Sequence, residues 1–134
     1  MRFIKQKTHN KINNNLCGTP IELKEGYSKL KLTPNKKMVL DESNLIHGGF
    51  TFSLADYAAM LAVNHSNVVL TEANVRFIKP VILGDILIAE AHIMQKEGKK
   101  IIVEVNINKN GINVFEGEFK CYIPEIHILG GEII

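Results

Sequence analysis

Residues 48–64 limit the possible folds of this chain more than any other segment. They include one charged residue, Asp56, and the other side chains are almost all apolar or small. The stretch is well above strand length, and glycines at its start and Asn64 at its end delimit a helix over residues 49–64. A helix with almost no polar face has to be covered nearly all round by the rest of the chain.

The remainder of the chain has the pattern of strands separated by short turns. Alternating or β-branched apolar residues recur in five segments, 21–32, 68–78, 85–95, Lys100–Lys109 and 112–123. Glu25-Gly26 divides the first segment by a turn, and Asn110-Gly111 is a two-residue hairpin signal. Strands in runs on either side of one helix predict an α+β fold with an antiparallel sheet.

Covering a lone apolar helix requires that sheet to curl around it. We therefore predict the hotdog fold, a curled antiparallel β-sheet wrapped round one long central α-helix, as a single domain over residues 1–134. Residues 1–20 are expected to form an N-terminal segment with a short helix, and residues 124–134 a C-terminal tail. Because such a sheet has edge strands, we expect pairing across a two-fold axis in a homodimer or homotetramer.

Composition narrows the class of protein. An apolar fraction of 46% and a charged fraction of 22% are typical of soluble globular proteins. No apolar run reaches the ~20 residues of a membrane span, and the first residues lack the apolar region of a signal peptide. Cys17 and Cys121 have no metal-type spacing, and the histidines are scattered. We therefore expect a cytoplasmic protein with free thiols, no metal site and no membrane partner.

The positive charge is concentrated at one end of the chain. Residues 1–40 carry nine Lys or Arg against two Glu. A basic segment can bind nucleic acid, but neither a helix-turn-helix pattern nor basic residues interleaved with aromatics accompany it. We therefore expect no nucleic-acid partner. The segment is interpreted as a solvated surface, or else as a surface for a phosphate-bearing small ligand or a carrier protein.

Asp56 is the candidate catalytic residue. An ionised, unpaired carboxylate is costly to bury, so it is expected to have a partner, a raised pKa or a function. His47-Gly48-Gly49 precedes the helix and brings free backbone N–H groups to its positive end. Structural interpretations remain open: the glycines could make a tight turn, and Asp56 could bond to a neighbouring Thr or Tyr.

Two segments resemble a known family. The first is His-Gly-Gly-Phe-Thr-Phe-Ser-Leu-Ala-Asp at 47–56, followed by Ala58, Ala62 and Asn64. The second is Val-Arg-Phe-Ile-Lys-Pro-Val-Ile-Leu-Gly-Asp at 75–85. Both are similar to the phenylacetate-degradation-type hotdog thioesterases. The resemblance implies an acyl-CoA thioesterase with its site at the subunit interface, and coenzyme A as part of the substrate rather than as a cofactor.

The resemblance also implies roles for the helix and its start. Asp56 would act as general base, or as nucleophile through an anhydride. Backbone N–H groups of Gly48 or Gly49 would polarise the thioester carbonyl, as oxyanion-binding donors do elsewhere. His47 would either orient the loop by hydrogen bonding or exchange protons. Phe50 would line the chamber of the acyl group, or else pack as an ordinary core residue.

Residues outside the helix complete the implied site. Thr71, or Leu70 if the register shifts by one residue, would hold the attacking water or the carboxylate. Relatives commonly have Asn about six residues before the His, where this chain has Asp41; Asn44 would supply that contact through a shifted loop, or the contact is absent. Arg76 and Lys79 are candidates to meet the phosphates of coenzyme A, with a solvated surface role as the alternative for each, and the resemblance favours Lys79.

Two other functions are also compatible with this sequence. The first is a non-hydrolytic hotdog protein that binds or senses acyl-CoA or an acyl carrier. The second is a hotdog dehydratase or hydratase, although the His-Phe-Pro-like loop of those enzymes is absent around His47.

Overall fold

The apolar segment forms one long helix, as predicted. In the computed structural model, which describes residues 3–130, this helix is α2 (Gly48–Val63), and it follows a short helix α1 (Asn14–Cys17). Asn64 ends α2 in the left-handed conformation, with φ of 52°, and its backbone N–H bonds to the Met60 carbonyl. Nine of the sixteen side chains of α2 are buried, so it is surrounded rather than laid on a surface.

Six strands form one antiparallel sheet around α2. Their spatial order is β1-β2-β4-β5-β6-β3. In chain order they are β1 (Thr19–Lys24), β2 (Tyr27–Leu32), β3 (Val69–Phe77), β4 (Leu87–Glu97), β5 (Lys100–Lys109) and β6 (Ile112–Tyr122). The predicted segments lie within about two residues of these bounds, which is the usual uncertainty of element ends.

The sheet buries one face against the helix. Along β5, Ile101, Val103, Val105 and Ile107 are buried, while the residues between them are more exposed. This alternation places every second side chain against α2. The predicted α+β hotdog fold is confirmed. No helix within residues 3–130 is long and apolar enough to cross a membrane.

The two edges of the sheet differ. Beside β1, the chain at Phe3 forms a bridge with Leu23, and the Ile4 N–H donates to the Leu23 carbonyl at 3.0 Å. Strand β3 is nine residues long, and its outer edge pairs with no strand in the described part of the chain. An unpaired edge of this length is a template for another strand.

The connecting and terminal segments are less regular. The predicted loop at 38–44 begins at the end of a 3₁₀ turn, Lys36–Met38. An isolated β-bridge between Val39 and Ile46 joins the two sides of this loop. The predicted short N-terminal helix is α1. Of the predicted tail, residues 124–130 form no helix or strand. Residues 131–134, like residues 1 and 2, lie outside the described residues.

Candidate active site

Asp56 lies in the third turn of α2 and carries an unsatisfied oxygen. Its Oδ1 atom is fully buried and has no hydrogen-bond partner within residues 3–130. Burial raises the pKa of this carboxyl from its ordinary value near 3.8 to about 6. A buried polar atom without a partner is uncommon in folded proteins and needs an explanation. The predicted bond from a neighbouring Thr or Tyr to this oxygen is absent from the described chain.

Three polar side chains that were not predicted as site residues, those of Cys17, Ser53 and Cys121, lie near Asp56 in the fold or along α2. Burial, and to a smaller extent the charge of Asp56, raises the pKa of the Cys17 thiol at the end of α1, and the nearby Ser53 hydroxyl opposes the rise. Burial, then the charge of Asp56, raises the pKa of Cys121 on β6 to about 12. Ser53 could have been found, since it lies three residues before Asp56 on one helix face. The cysteines come from distant segments and gave no such signal.

The start of α2 is held by His47. This residue is the N-cap, and its Nδ1 accepts the Gly49 N–H at 3.4 Å. The His47 ring also meets the Phe50 ring edge to face, with 5.9 Å between centroids. No partner accepts the Gly48 N–H among residues 3–130. Of the two predicted donors, Gly48 is therefore the freer one.

A small cavity opens beside Gly48. Its volume is about 290 Å³, and its lining includes Gly48, Thr51, Phe77 and Lys79. A Cβ atom at Gly48 would lie 3.3 Å from the Phe77 ring, so glycine allows close approach of the strand end. The free N–H of Gly48 and the ammonium of Lys79 thus belong to residues that line the same cavity.

The helix start and Asp56 cannot act together within one chain. Gly48 and Asp56 are eight residues apart, which at the α-helical rise is about 12 Å along the axis. A carbonyl oxygen within hydrogen-bond distance of Gly48 is therefore too far from Asp56 of the same helix. If both groups serve one reaction, they must come from two copies of the chain.

Thr71 and Leu70 lie where β3 is irregular. The register between β3 and β6 shifts between Leu70 and Glu72, so Thr71 is the extra residue of a bulge. Its hydroxyl donates to the Lys120 carbonyl at 3.0 Å. Thr71 is exposed and, with Cys121, lines a cavity of about 520 Å³ that includes no residue of α2. Within the described residues its hydroxyl bonds to Lys120 and not to Asp56.

The loop before the helix positions Asn44 and Asp41 at the surface. Asn44 is exposed, has φ of 65°, and accepts the Leu83 N–H through its backbone carbonyl at 2.9 Å. Asp41 bonds to the hydroxyl and N–H of Ser43, and these bonds lower its pKa. Neither side chain hydrogen bonds to Asp56 within the described chain.

The predicted phosphate ligands are separated from each other. Arg76 faces the outer surface of the sheet and lies 3.8 Å from Glu116. Lys79 is exposed just beyond β3 and has no ion-pair partner within residues 3–130. No group of three or more potential metal ligands occurs in the same residues.

Comparison with known proteins places the chain in a family. Residues 43–115 match the thioesterase superfamily. The chain belongs to this superfamily, and the predicted resemblance is confirmed. The solved structure of uncharacterized protein PH1136 from Pyrococcus horikoshii is 51% identical, with a TM-score of 0.94 over 96% of this chain and 99% of that one. The Escherichia coli PaaI protein of the phenylacetic acid degradation operon shares the fold at 24% identity, with a TM-score of 0.79 over 87% of this chain and 86% of that one.

The curated relatives are longer than this chain. It is 50% identical to methylthioribose-1-phosphate isomerase of Aquifex aeolicus over 84% of its own length, which is 25% of that protein. It is 31% identical to transcription factor FapR of Staphylococcus haemolyticus, over 84% of this chain and 61% of that protein. The chain thus spans between a quarter and about three fifths of the length of these relatives.

Proposed function

We propose that this protein hydrolyses the thioester of an acyl-CoA, with Asp56 as the catalytic carboxylate. The observation that carries the proposal is the buried, unpartnered oxygen of Asp56, together with its raised pKa. In a fold of the thioesterase superfamily, a carboxylate oxygen without a protein partner is available to bind the substrate or a water. Perturbed titration of this kind is typical of functional sites.

The chemistry needs a base and an oxyanion site. In the general-base form, Asp56 takes a proton from water, whose oxygen forms a bond to the thioester carbon. The carbonyl electrons move to oxygen, where the Gly48 N–H stabilises the negative charge at the positive end of α2. The electrons then return, the C–S bond breaks, and the leaving thiolate receives the proton. In the nucleophilic form, Asp56 attacks the carbon itself and water hydrolyses the resulting anhydride.

The site would be shared between two copies of the chain. Gly48 and Asp56 are about 12 Å apart along one helix, too far to serve one carbonyl. Antiparallel pairing of two β3 edges across a two-fold axis would bring two α2 helices side by side in opposite directions. The start of one helix then approaches the middle of the other. A homodimer, alone or within a homotetramer, is therefore part of the proposal.

The remaining predicted residues would contribute to this site to different degrees. His47 would hold the glycine turn, as its bond to the Gly49 N–H indicates. Phe50, half-buried beside His47, would contact the acyl group.

Lys79 is favoured over Arg76 as a phosphate ligand because it lines the Gly48 cavity and Arg76 pairs with Glu116. Thr71 would have to give up its bond to the Lys120 carbonyl to hold a water.

The test is thiol release from short, long and aromatic acyl-CoAs by the wild type and Asp56→Asn. The variant keeps the shape of the side chain and removes its basicity. We expect a loss in kcat/KM of at least about 10²-fold, the size typical of a lost general base. Glu25→Gln, which removes an exposed carboxylate in the β1–β2 turn, is the matched control and should keep full activity. Equal activity of wild type and Asp56→Asn would refute the assignment of Asp56.

The second candidate is a ligand-sensing protein that binds acyl-CoA without hydrolysis. The similarity to FapR favours this candidate, because that relative is named as a transcription factor and not as an enzyme. The match covers 84% of this chain and 61% of that protein. Calorimetric titration with the same acyl-CoAs separates the two functions. Binding without thiol release would contradict the proposed hydrolysis and support a protein that binds acyl-CoA without cleaving it.

A further inference from the structure

One large cavity of the described structure includes neither Asp56 nor Gly48 in its lining. It is an open groove of about 920 Å³. Its walls come from α1 and the residues before it, the start of β1, the end of β2 and the 3₁₀ turn at Lys36–Met38. None of the residues assigned above to hydrolysis lines it.

The charge of this groove is entirely positive. Lys31, Lys36 and Lys37 line it, and no Asp or Glu does. All three lysines are exposed, and none forms an ion pair within residues 3–130. By contrast, Lys24, Lys99, Lys109 and Lys120 each lie within 4 Å of a carboxylate. Three of the unpaired lysines of the basic segment 1–40 therefore lie together at one concave surface.

The other lining groups are hydrogen-bonding side chains over an apolar floor. The side chains of Asn15, Thr19 and Thr33 make no hydrogen bond within the described part of the chain. Leu16 and Ile21 are half-buried and supply apolar surface in the same groove. Lysine ammonium groups suit phosphate oxygens, and an apolar floor suits a flat ring.

We propose that this groove binds a nucleotide phosphate. Lys31, Lys36 and Lys37 would meet the phosphate groups, and the base would lie on Leu16 and Ile21. The site is distinct from the groups proposed to cleave the thioester, and the inference does not require that reaction. Such a ligand has two possible sources, the adenosine 3′,5′-bisphosphate end of coenzyme A or a free nucleotide.

The binding test is calorimetric titration of the full chain with adenosine 3′,5′-bisphosphate and, separately, with inorganic phosphate. The groove variant is the triple substitution Lys31→Gln, Lys36→Gln and Lys37→Gln. The control is Lys5→Gln, Lys7→Gln and Lys11→Gln, which removes the same charge from exposed lysines of the same basic segment outside the groove. We expect the groove variant to bind the bisphosphate at least about tenfold more weakly, or about 1.4 kcal/mol. The control should bind within about twofold of wild type, and inorganic phosphate should bind more weakly than the bisphosphate because it has no ring.

Three results would overturn the proposal: no binding by the wild type, unchanged binding by the groove variant, or an equal loss in both triple variants. The last would mean general attraction to a basic surface. Circular dichroism shows whether each variant folds. If the groove variant does not, Lys36→Gln alone takes its place, with Lys11→Gln as control and an expected weakening of about threefold.

A kinetic comparison identifies the source of the ligand. If the groove receives the nucleotide of the substrate, its variants raise KM for an acyl-CoA but not for the matching acyl-pantetheine, which has no nucleotide. An unchanged KM for both, with weakened bisphosphate binding, means a separate nucleotide site. If the wild type cleaves no thioester, the proposed hydrolysis fails, and the calorimetric result still decides the groove.

Discussion

At the residue scale, Asp56 combines a cost in stability with a capacity for chemistry. Its carboxylate is deprived of water and of a hydrogen-bond partner, which disfavours the charged form. The same lack of partners leaves the oxygen free to take a proton from water. The thiols of Cys17 and Cys121, whose pKa values are raised by burial and by the charge of Asp56, are neutral near pH 7. They therefore supply no counter-charge.

The pH dependence of the rate should report this carboxyl. Asp56 must be ionised to act as base or nucleophile, and its pKa is raised to about 6. We expect kcat/KM for acyl-CoA hydrolysis to fall about tenfold per pH unit below pH 6. A rate that is constant from pH 7 to pH 5, with the protein folded throughout, would contradict this.

Asp56→Asn should make the protein more stable at neutral pH. Because the folded state holds the proton more tightly than the unfolded state, the unfolding free energy falls as pH rises from about 4 to about 6. The cost at pH 7 is at most about 3 kcal/mol, and the Asn variant avoids it. Urea unfolding of both proteins at pH 7 and pH 4 measures the difference. It should be large at pH 7 and nearly vanish at pH 4; a variant less stable at pH 7 would show that the charge is compensated.

The sequence was a good guide to single residues only where local spacing carried the information. Asp56 stood out as the one charge of an apolar helix, and Gly48 by its place before that helix. Cys17 and Cys121 join the surroundings of Asp56 through long-range packing, which has no local pattern. The Gly49 N–H bonds to the His47 ring, whereas the Gly48 N–H is free. This difference depends on the rotamer of His47, which the sequence does not determine.

At the element scale, the start of α2 offers a clean test of the oxyanion donor. Proline is tolerated at the first helical position, and the extended backbone of His47 is compatible with a following proline. Gly48→Pro deletes the N–H, and we expect a loss in kcat/KM of about 10²–10³-fold.

Gly48→Ala is the control for that substitution. It adds the same Cβ beside the Phe77 ring but retains the N–H. Its kcat/KM should stay within a few-fold of wild type. Equal losses in the two variants would attribute the effect to crowding against Phe77.

The end of α2 is tied to the N-terminal segment through Asn64. Its side chain accepts the Lys7 N–H and donates to the Lys5 carbonyl, both at 2.8 Å. Asn64→Gly keeps the left-handed backbone and loses both bonds, so we expect a destabilisation of about 1–3 kcal/mol in urea unfolding. Asn64→Ala should lose about 1 kcal/mol more, because its Cβ strains that backbone. If both variants had the wild-type free energy of unfolding, water would replace the two hydrogen bonds of Asn64 without loss.

Element types and order were predictable because helix and strand differ in period. The Lys100–Lys109 strand was predicted with its observed bounds, since its alternation is regular and a hairpin turn follows. The bulge at Thr71 was not predicted, because one extra residue leaves no mark in a half-buried strand. This is also why sequence could not choose between Leu70 and Thr71.

At the scale of the whole molecule, the central question is whether two chains share one site. Purified heterodimers of Gly48→Pro and Asp56→Asn answer it. In a shared site, one of the two sites has both an intact Gly48 and an intact Asp56, so we expect about half the wild-type activity per dimer. The measurement is thiol release by heterodimers isolated through two different tags. Activity no greater than the mean of the two inactive homodimers would place the reaction within one chain.

The curled sheet was predictable from one argument, that an apolar helix needs cover on every side. The groove lined by Lys31, Lys36 and Lys37 was not, because its walls come from four separate parts of the chain. Sequence showed that residues 1–40 are basic, but only the fold shows which of those charges meet at a concave surface.

The two bonds of Asn64 have a consequence for the order of folding. They join positions 57 and 59 residues apart, whereas the hairpins of β4, β5 and β6 join neighbours through short turns. Closing a long loop costs more chain entropy than closing a short one. Residues 5–7, although synthesised early, therefore have no place to dock until the helix is complete, and their attachment should be among the last steps of folding.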